Sequence, residues 1–158
     1  MSTRCNIHFN HGKRIDANIY RHSDGYPGVV NYGGEVEYGI LSDLLKFFRE
    51  LKANVGDARF AHAQYLGAKF LVWQAKQYAV NHEYNADKGE WGTTPKHYLD
   101  FLSVAPAMED HGDIEYVYEV DCDKQDREGF PAIRWKTDSG SRFRTVYLCG
   151  KPEAAKSA

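Results

Sequence analysis

Residues 4–20 read Arg-Cys-Asn-Ile-His-Phe-Asn-His-Gly-Lys-Arg-Ile-Asp-Ala-Asn-Ile-Tyr. Cys5, Ile7 and Phe9 alternate with Arg4, Asn6 and His8, the period-2 pattern of a half-buried strand. After the turn residues Asn10-His11-Gly12-Lys13, Ile15, Ala17 and Ile19 alternate with Arg14, Asp16 and Asn18. Two such runs about a glycine turn predict a hairpin, and everything downstream must build on that nucleus.

Helical spacing takes over next. Ile40, Leu41, Leu44, Leu45, Phe48 and Leu51 form one apolar stripe, with Asp43, Lys46, Arg49 and Glu50 off it. Asn54-Val55-Gly56-Asp57 then offers a C-cap, with Asp57 as N-cap of a second helix expected over about 58–82. A link that short predicts an antiparallel helix pair. Residues 83–97 read as irregular and 98–104 as a weak strand. Three alternations follow: Ile114, Tyr116, Tyr118, Val120 and Cys122; Ile133 and Trp135; Phe143, Thr145 and Tyr147. Their intervening residues, Glu115, Glu119 and Asp121 against Arg134, Lys136, Arg142 and Arg144, are complementary in charge, as paired strands favour. The expected fold is a two-layer α+β sandwich. Its antiparallel sheet combines the N-terminal hairpin with a C-terminal three-strand meander. The helix pair covers one face and the other is solvated. Residues 1–150 read as a single domain and 151–158 as a flexible tail.

With 158 residues, 27% charged and 42% hydrophobic, the chain suits one globular domain rather than a disordered segment. The net charge of −2 gives no global basic field for nucleic acid. Charge is unevenly placed, however: residues 84–126 carry a net −8, while 127–158 carry +4, so the middle segment reads either as a solvated stretch whose acids balance the final strands or as an acidic surface that docks a basic partner. No apolar run approaches the roughly 18 residues of a membrane span. The polar start has no signal-peptide core, which with three cysteines (Cys5, Cys122, Cys149) and no Cys-x-x-Cys spacing predicts a reducing cytoplasm. Each cysteine falls on an apolar strand face, the place of a small hydrophobe.

Nucleotide, phosphate-loop, zinc-protease and serine-hydrolase motifs are missing from the sequence. Two His-x-Asp turns, His22-Ser23-Asp24 and His111-Gly112-Asp113, hold ligand-type side chains, so His22, Asp24, His111 and Asp113 are metal or acid–base candidates if the turns meet. Turn chemistry with an exposed imidazole explains them equally. The stretch 21–34 contains four glycines and one proline, too many breakers for a regular element. It displays Tyr26 and Tyr32, rings that give large contact area at low entropic cost. Arg21, His22, Asp24, Tyr26 and Tyr32, together with Tyr84 and Trp91 of the second irregular stretch, are the expected binding residues. Both rings folding into the core is the competing reading.

The run Tyr20-Arg21-His22-Ser23-Asp24-Gly25-Tyr26-Pro27 resembles the N-terminal signature of a group of small uncharacterised proteins from bacteria, prophages and phages. His111-Gly112-Asp113-Ile114-Glu115-Tyr116-Val117-Tyr118-Glu119-Val120 resembles that group's second signature. The resemblance implies a mobile-element origin and, as for many small phage proteins, action by docking on a host component such as a defence system. It supplies no catalytic residue. The expectation is a cofactor-free, non-enzymatic cytoplasmic protein with a protein partner. A small-ligand or nucleotide module using the same aromatics and a metal-dependent hydrolase using the two His-x-Asp turns are the alternatives. Nucleic acid and membrane partners are disfavoured.

Overall fold

The computed structural model describes residues 3–28, 38–56, 59–80, 83–85, 90–92, 102–106, 110, 112–140 and 142–152. Strands β1 (Cys5–His11) and β2 (Arg14–Arg21) form the expected hairpin, with a bulge at Phe9/Asn10. Helices α1 (Ile40–Asn54) and α2 (Ala63–Val80) follow, then β3 (Glu83–Asn85), β4 (Glu90–Gly92), β5 (Leu102–Val104), β6 (Tyr116–Gln125), β7 (Pro131–Thr137) and β8 (Arg144–Val146). Six strands make one sheet in the order β5-β2-β1-β6-β7-β8, an α+β arrangement with the hairpin and the meander β6-β7-β8 in place.

The sheet is mixed rather than wholly antiparallel. β6 runs parallel to β1, with Cys5 opposite Tyr116 and Phe9 opposite Val120. The physical reason is the connection. β2 already occupies one side of β1 and β5 the far side of β2, running the same way as β1, so it is the chain between β5 and β6 that returns to the end of the sheet where β1 began. A strand that re-enters there must run with β1, and only a long crossover permits that. The stretch 83–97, read as irregular, contains the antiparallel pair β3–β4, with Tyr84 opposite Trp91. Strands of three residues are too short for alternation to reveal.

α1 ends where expected. Gly56, at φ +96°, returns its N–H to the carbonyls of Leu51 and Lys52, a left-handed terminus that glycine adopts without strain. α2 begins later than expected, because Arg59 to His62 close a tight turn first. Its first N–H, from Ala63, is accepted by His11 Nε2 at 3.3 Å, so the β1–β2 turn caps the helix. The expected cap, Asp57, lies outside the described residues. So does the tail from residue 153.

The apolar core fills the space between helices and sheet. Phe9 packs on Phe70, Phe47 on Phe70 and Trp73, and Phe48 on Phe60 and Phe130. At Gly67 a Cβ would stand 2.5 Å from that of Ala17, so α2 lies directly on β2. The other face of the sheet is not solvated as expected. Asn6, His8, Asn10 and Asn18 are all buried there; beyond β5, Pro106 reaches Asn18 and Asp110 reaches His8. No helix among the described residues is long and apolar enough to cross a membrane.

Candidate functional site

Two places concentrate unusual chemistry: the base of the loop after β2, and the polar face of β1.

At the loop base, Arg21 is an anchor rather than a binding side chain. It is 6% exposed. Its guanidinium donates to Asp43 Oδ2 and Gln74 Oε1 (2.5 and 2.7 Å) and to the Ser23 carbonyl at 2.8 Å, fastening the loop to both helices. His22 is exposed, with Nδ1 3.2 Å from the Tyr20 hydroxyl. Asp24 is exposed at φ +55°, a left-handed conformation that Asp tolerates better than most residues. Gly25 follows because any side chain there would strike Cys5 and the Arg4 backbone at about 3 Å. Its N–H donates to the Thr3 carbonyl, and its own carbonyl accepts from the buried Tyr118 hydroxyl at 2.7 Å.

The two ends of the loop are then tied together. Ile40 N–H donates to the Tyr26 carbonyl at 3.0 Å and Leu41 N–H to that of Pro27 at 3.2 Å. Gly39 (φ +92°) permits this approach, since a Cβ there would lie 2.7 Å from the Pro27 carbonyl. Above this neck Tyr26 and Tyr38 pack edge to face, centroids 5.6 Å apart, with Tyr38 48% exposed and Tyr26 half-buried. Partial burial, then the Asp24 charge, raises the Tyr26 phenol above its ordinary pKa, so it stays neutral. Tyr38 was not singled out in the sequence, although it stands beside the start of the α1 stripe. Tyr32, between the two ends, lies outside the described residues.

Of the two His-x-Asp turns, His111 also lies outside the described residues. Asp113 forms an ion pair with Arg4. Its charge is one cause of the raised pKa of the Tyr20 phenol, after burial itself. The phenol in turn touches His22, so Asp113 and His22 share one end of the sheet. Among the described residues no cluster of three or more His, Cys, Asp or Glu side chains is placed to hold a metal. Tyr84 and Trp91 are cross-strand partners on β3–β4, apart from the six-stranded sheet.

The polar face was missed. Residues 5–10 of β1 are all buried; Cys5, Ile7 and Phe9 enter the core, while Asn6, His8 and Asn10 face the other way. Asn6 Nδ2 donates to Asn18 Oδ1 at 2.6 Å, and Asn18 Nδ2 to the Pro106 carbonyl at 2.9 Å. His8 Nε2 meets Asp110 Oδ1 at 2.5 Å. That bond holds the Asp110 carboxyl below its usual pKa against the opposing effect of its partial burial. Next to β1 on β6, Glu119 stands level with His8 and pairs with Arg134 of β7.

Several groups on this face stay unsatisfied. Five buried side-chain polar atoms among the described residues lack a partner, and four of them, Arg4 Nε, His8 Nδ1, Asn10 Oδ1 and Arg134 Nε, belong to this side of the sheet. A buried group without a partner costs about 1–3 kcal/mol, so each is an oddity that a purely structural face would lose. One signal was legible beforehand: the outward positions of the later strands hold Glu, Asp, Arg and Lys, whereas β1 offers Asn, His and Asn.

The described acids of the 84–126 region are largely committed. Asp110 goes to His8, Asp113 to Arg4, Asp123 to His11 and Glu119 to Arg134. Three of these four reach the N-terminal hairpin, not the final strands as expected. The fourth, Glu119 with Arg134, is a cross-strand pair of the expected kind, and the cations of β7–β8 also lie against rings: Arg134 and Lys136 about 5 Å from Phe143, and Arg144 5.2 Å from Trp135. Burial pushes the Cys5 and Cys122 thiols up to about 12, which keeps them protonated and inert.

Comparison with protein families, curated proteins and solved structures finds no match.

Proposed function

We propose that the chain is a non-enzymatic, cytoplasmic binding protein that docks on a host protein through the loop joining β2 to α1. The carrying observation is the Tyr26–Tyr38 pair, partly exposed above a neck closed by two backbone hydrogen bonds and two glycines. Such a base holds rings in place before binding, so little entropy is lost when a partner covers them. Tyrosine on a rigid support is the side chain that binding surfaces favour. Arg21 serves the same end from below, and the resemblance to phage and prophage proteins supports a host component as partner. With most described acids paired internally, the docking surface narrows from an acidic region to the loop and its two rings.

The test compares wild type with Tyr26→Ala and Tyr38→Ala, each first shown by thermal melting to fold. Proteins captured from a host lysate by wild type are purified and their affinities for all three chains measured directly. The reading expects each variant to weaken binding by about 2 kcal/mol, as central aromatic contacts do. Unchanged affinity in both variants refutes it.

A further inference from the structure

β8 is an edge of the sheet, joined to β7 on one side only. Among the described residues no backbone group bonds to Arg144, Thr145 or Val146 from the other side, and Arg144 and Thr145 are exposed. Charge collects around this edge. Residues 129–152 hold Arg134, Lys136, Arg142, Arg144 and Lys151, against Asp138 as the single acid. Arg134 has a carboxylate partner in Glu119. Lys136, Arg142 and Arg144 have none among the described residues, Asp110, Asp113 and Asp123 being bonded to His8, Arg4 and His11. Lys136 lies 5.1 Å from the Phe143 ring, on the face it shares with Arg134 two positions away. Arg144 stands opposite Trp135 in the register and lies over that ring on the helix side. Cations therefore flank the edge on both faces.

An open edge offers N–H and C=O groups to an added strand, and the side chains around it decide which strand is accepted. Five cations against one acid repel a second copy of β8 and attract carboxylates. Side chains of an added strand alternate between the faces, so acids on either face meet a cation. Nucleic acid fits less well. The Phe143 and Trp135 rings already carry cations over a face, and a sugar–phosphate backbone cannot complete the hydrogen bonds of a strand. We propose that β8 is a docking edge for an extended acidic segment of a partner protein. The segment adds as a further strand, its carboxylates against Lys136, Arg142 and Arg144. This edge lies four strands from β2, so the proposal stands whether or not the Tyr26–Tyr38 loop binds a host protein.

Titration calorimetry on the full chain tests this with a capped peptide of alternating glutamate and valine, about eight residues long. A lysine–valine peptide reverses the charge. A fully N-methylated glutamate–valine peptide keeps the charge but donates no backbone hydrogen bond, and oligothymidylate of equal charge is a polyanion without a peptide backbone. The double variant Arg142→Gln/Arg144→Gln is first shown by thermal melting to fold. The expected result is saturable binding of the acidic peptide, slowed amide exchange over residues 144–146, and roughly tenfold weaker binding in the double variant. The three control ligands should bind at least about tenfold more weakly than the acidic peptide. Unchanged exchange at 144–146, full affinity in the double variant, or equal binding of any control overturns the proposal, equality with oligothymidylate marking a general polyanion surface. No saturable binding of the acidic peptide also overturns it, and leaves an edge charged only against pairing with its own copies.

Discussion

β1 is buried on both sides, yet its two faces are opposites. Cys5, Ile7 and Phe9 meet the helices, and each such apolar side chain contributes about 1.5–3 kcal/mol when fully buried. Asn6, His8 and Asn10 face the other way, where Asn18 bonds to Asn6 and Asp110 to His8. There, hydrogen bonds mostly restore what was lost with water, and the two atoms without partners restore nothing. Equal burial therefore does not mean equal stabilisation. The helix side holds the fold together, while the other side keeps a polar arrangement that stability alone would not select.

The contrast predicts its own largest effect. Phe9→Ala opens a cavity against Phe70 and Gly67, and such truncations cost about 3–5 kcal/mol. Asn10→Ala, one position along and equally buried, should cost under about 1 kcal/mol because its carbonyl oxygen has no partner to lose. Urea midpoints of the two variants decide the matter. Equal losses would mean that the polar face is as important to stability as the core.

A second, smaller test probes how closely the helix layer fits. In an open helix Gly→Ala gains up to about 1 kcal/mol. At Gly67 the added methyl would sit 2.5 Å from the Ala17 Cβ. Overpacking of that kind costs about 1–3 kcal/mol, so Gly67→Ala should lower the melting temperature. Adding Ala17→Gly should recover most of the loss. A more stable single variant would show that α2 can lift from β2 at no cost.

The helix-side layer was legible because it follows rules local to each element. Ile7 and Phe9 alternate, Leu44 and Phe48 recur at helical spacing, and Gly56 ends α1, whatever lies far away. The parallel entry of β6 was not legible, since it depends on where a crossover of many residues returns the chain. The polar face was misread for a related reason. Alternation reports that Asn6 and His8 avoid the core, and the usual inference is water. That inference failed because Asp110, about a hundred positions away, bonds to His8, while Asn18, itself held by Pro106, bonds to Asn6. Among the site residues, Tyr26 was foreseen from its glycine-rich surroundings and its partner Tyr38 was not. Arg21 was assigned outward because a lone arginine at a strand end gives no hint that Asp43 and Gln74 will enclose it.

The smallest effect sits on the polar face and depends on pH. His8 holds the Asp110 carboxyl below its ordinary pKa of 3.8, so in acid the unfolded chain takes up this proton before the folded one does. Stability from the pair is thus fully present above that value and is lost as pH falls through the lowered folded value. Asp110→Asn should cost about 1 kcal/mol or less at neutral pH, because a third of the Asp110 side chain meets solvent and screening weakens the pair. The gap between wild type and variant should then narrow steadily below about pH 4, as urea midpoints across that range would show. A gap that stays constant into strong acid would mean that Asp110 acts by shape alone.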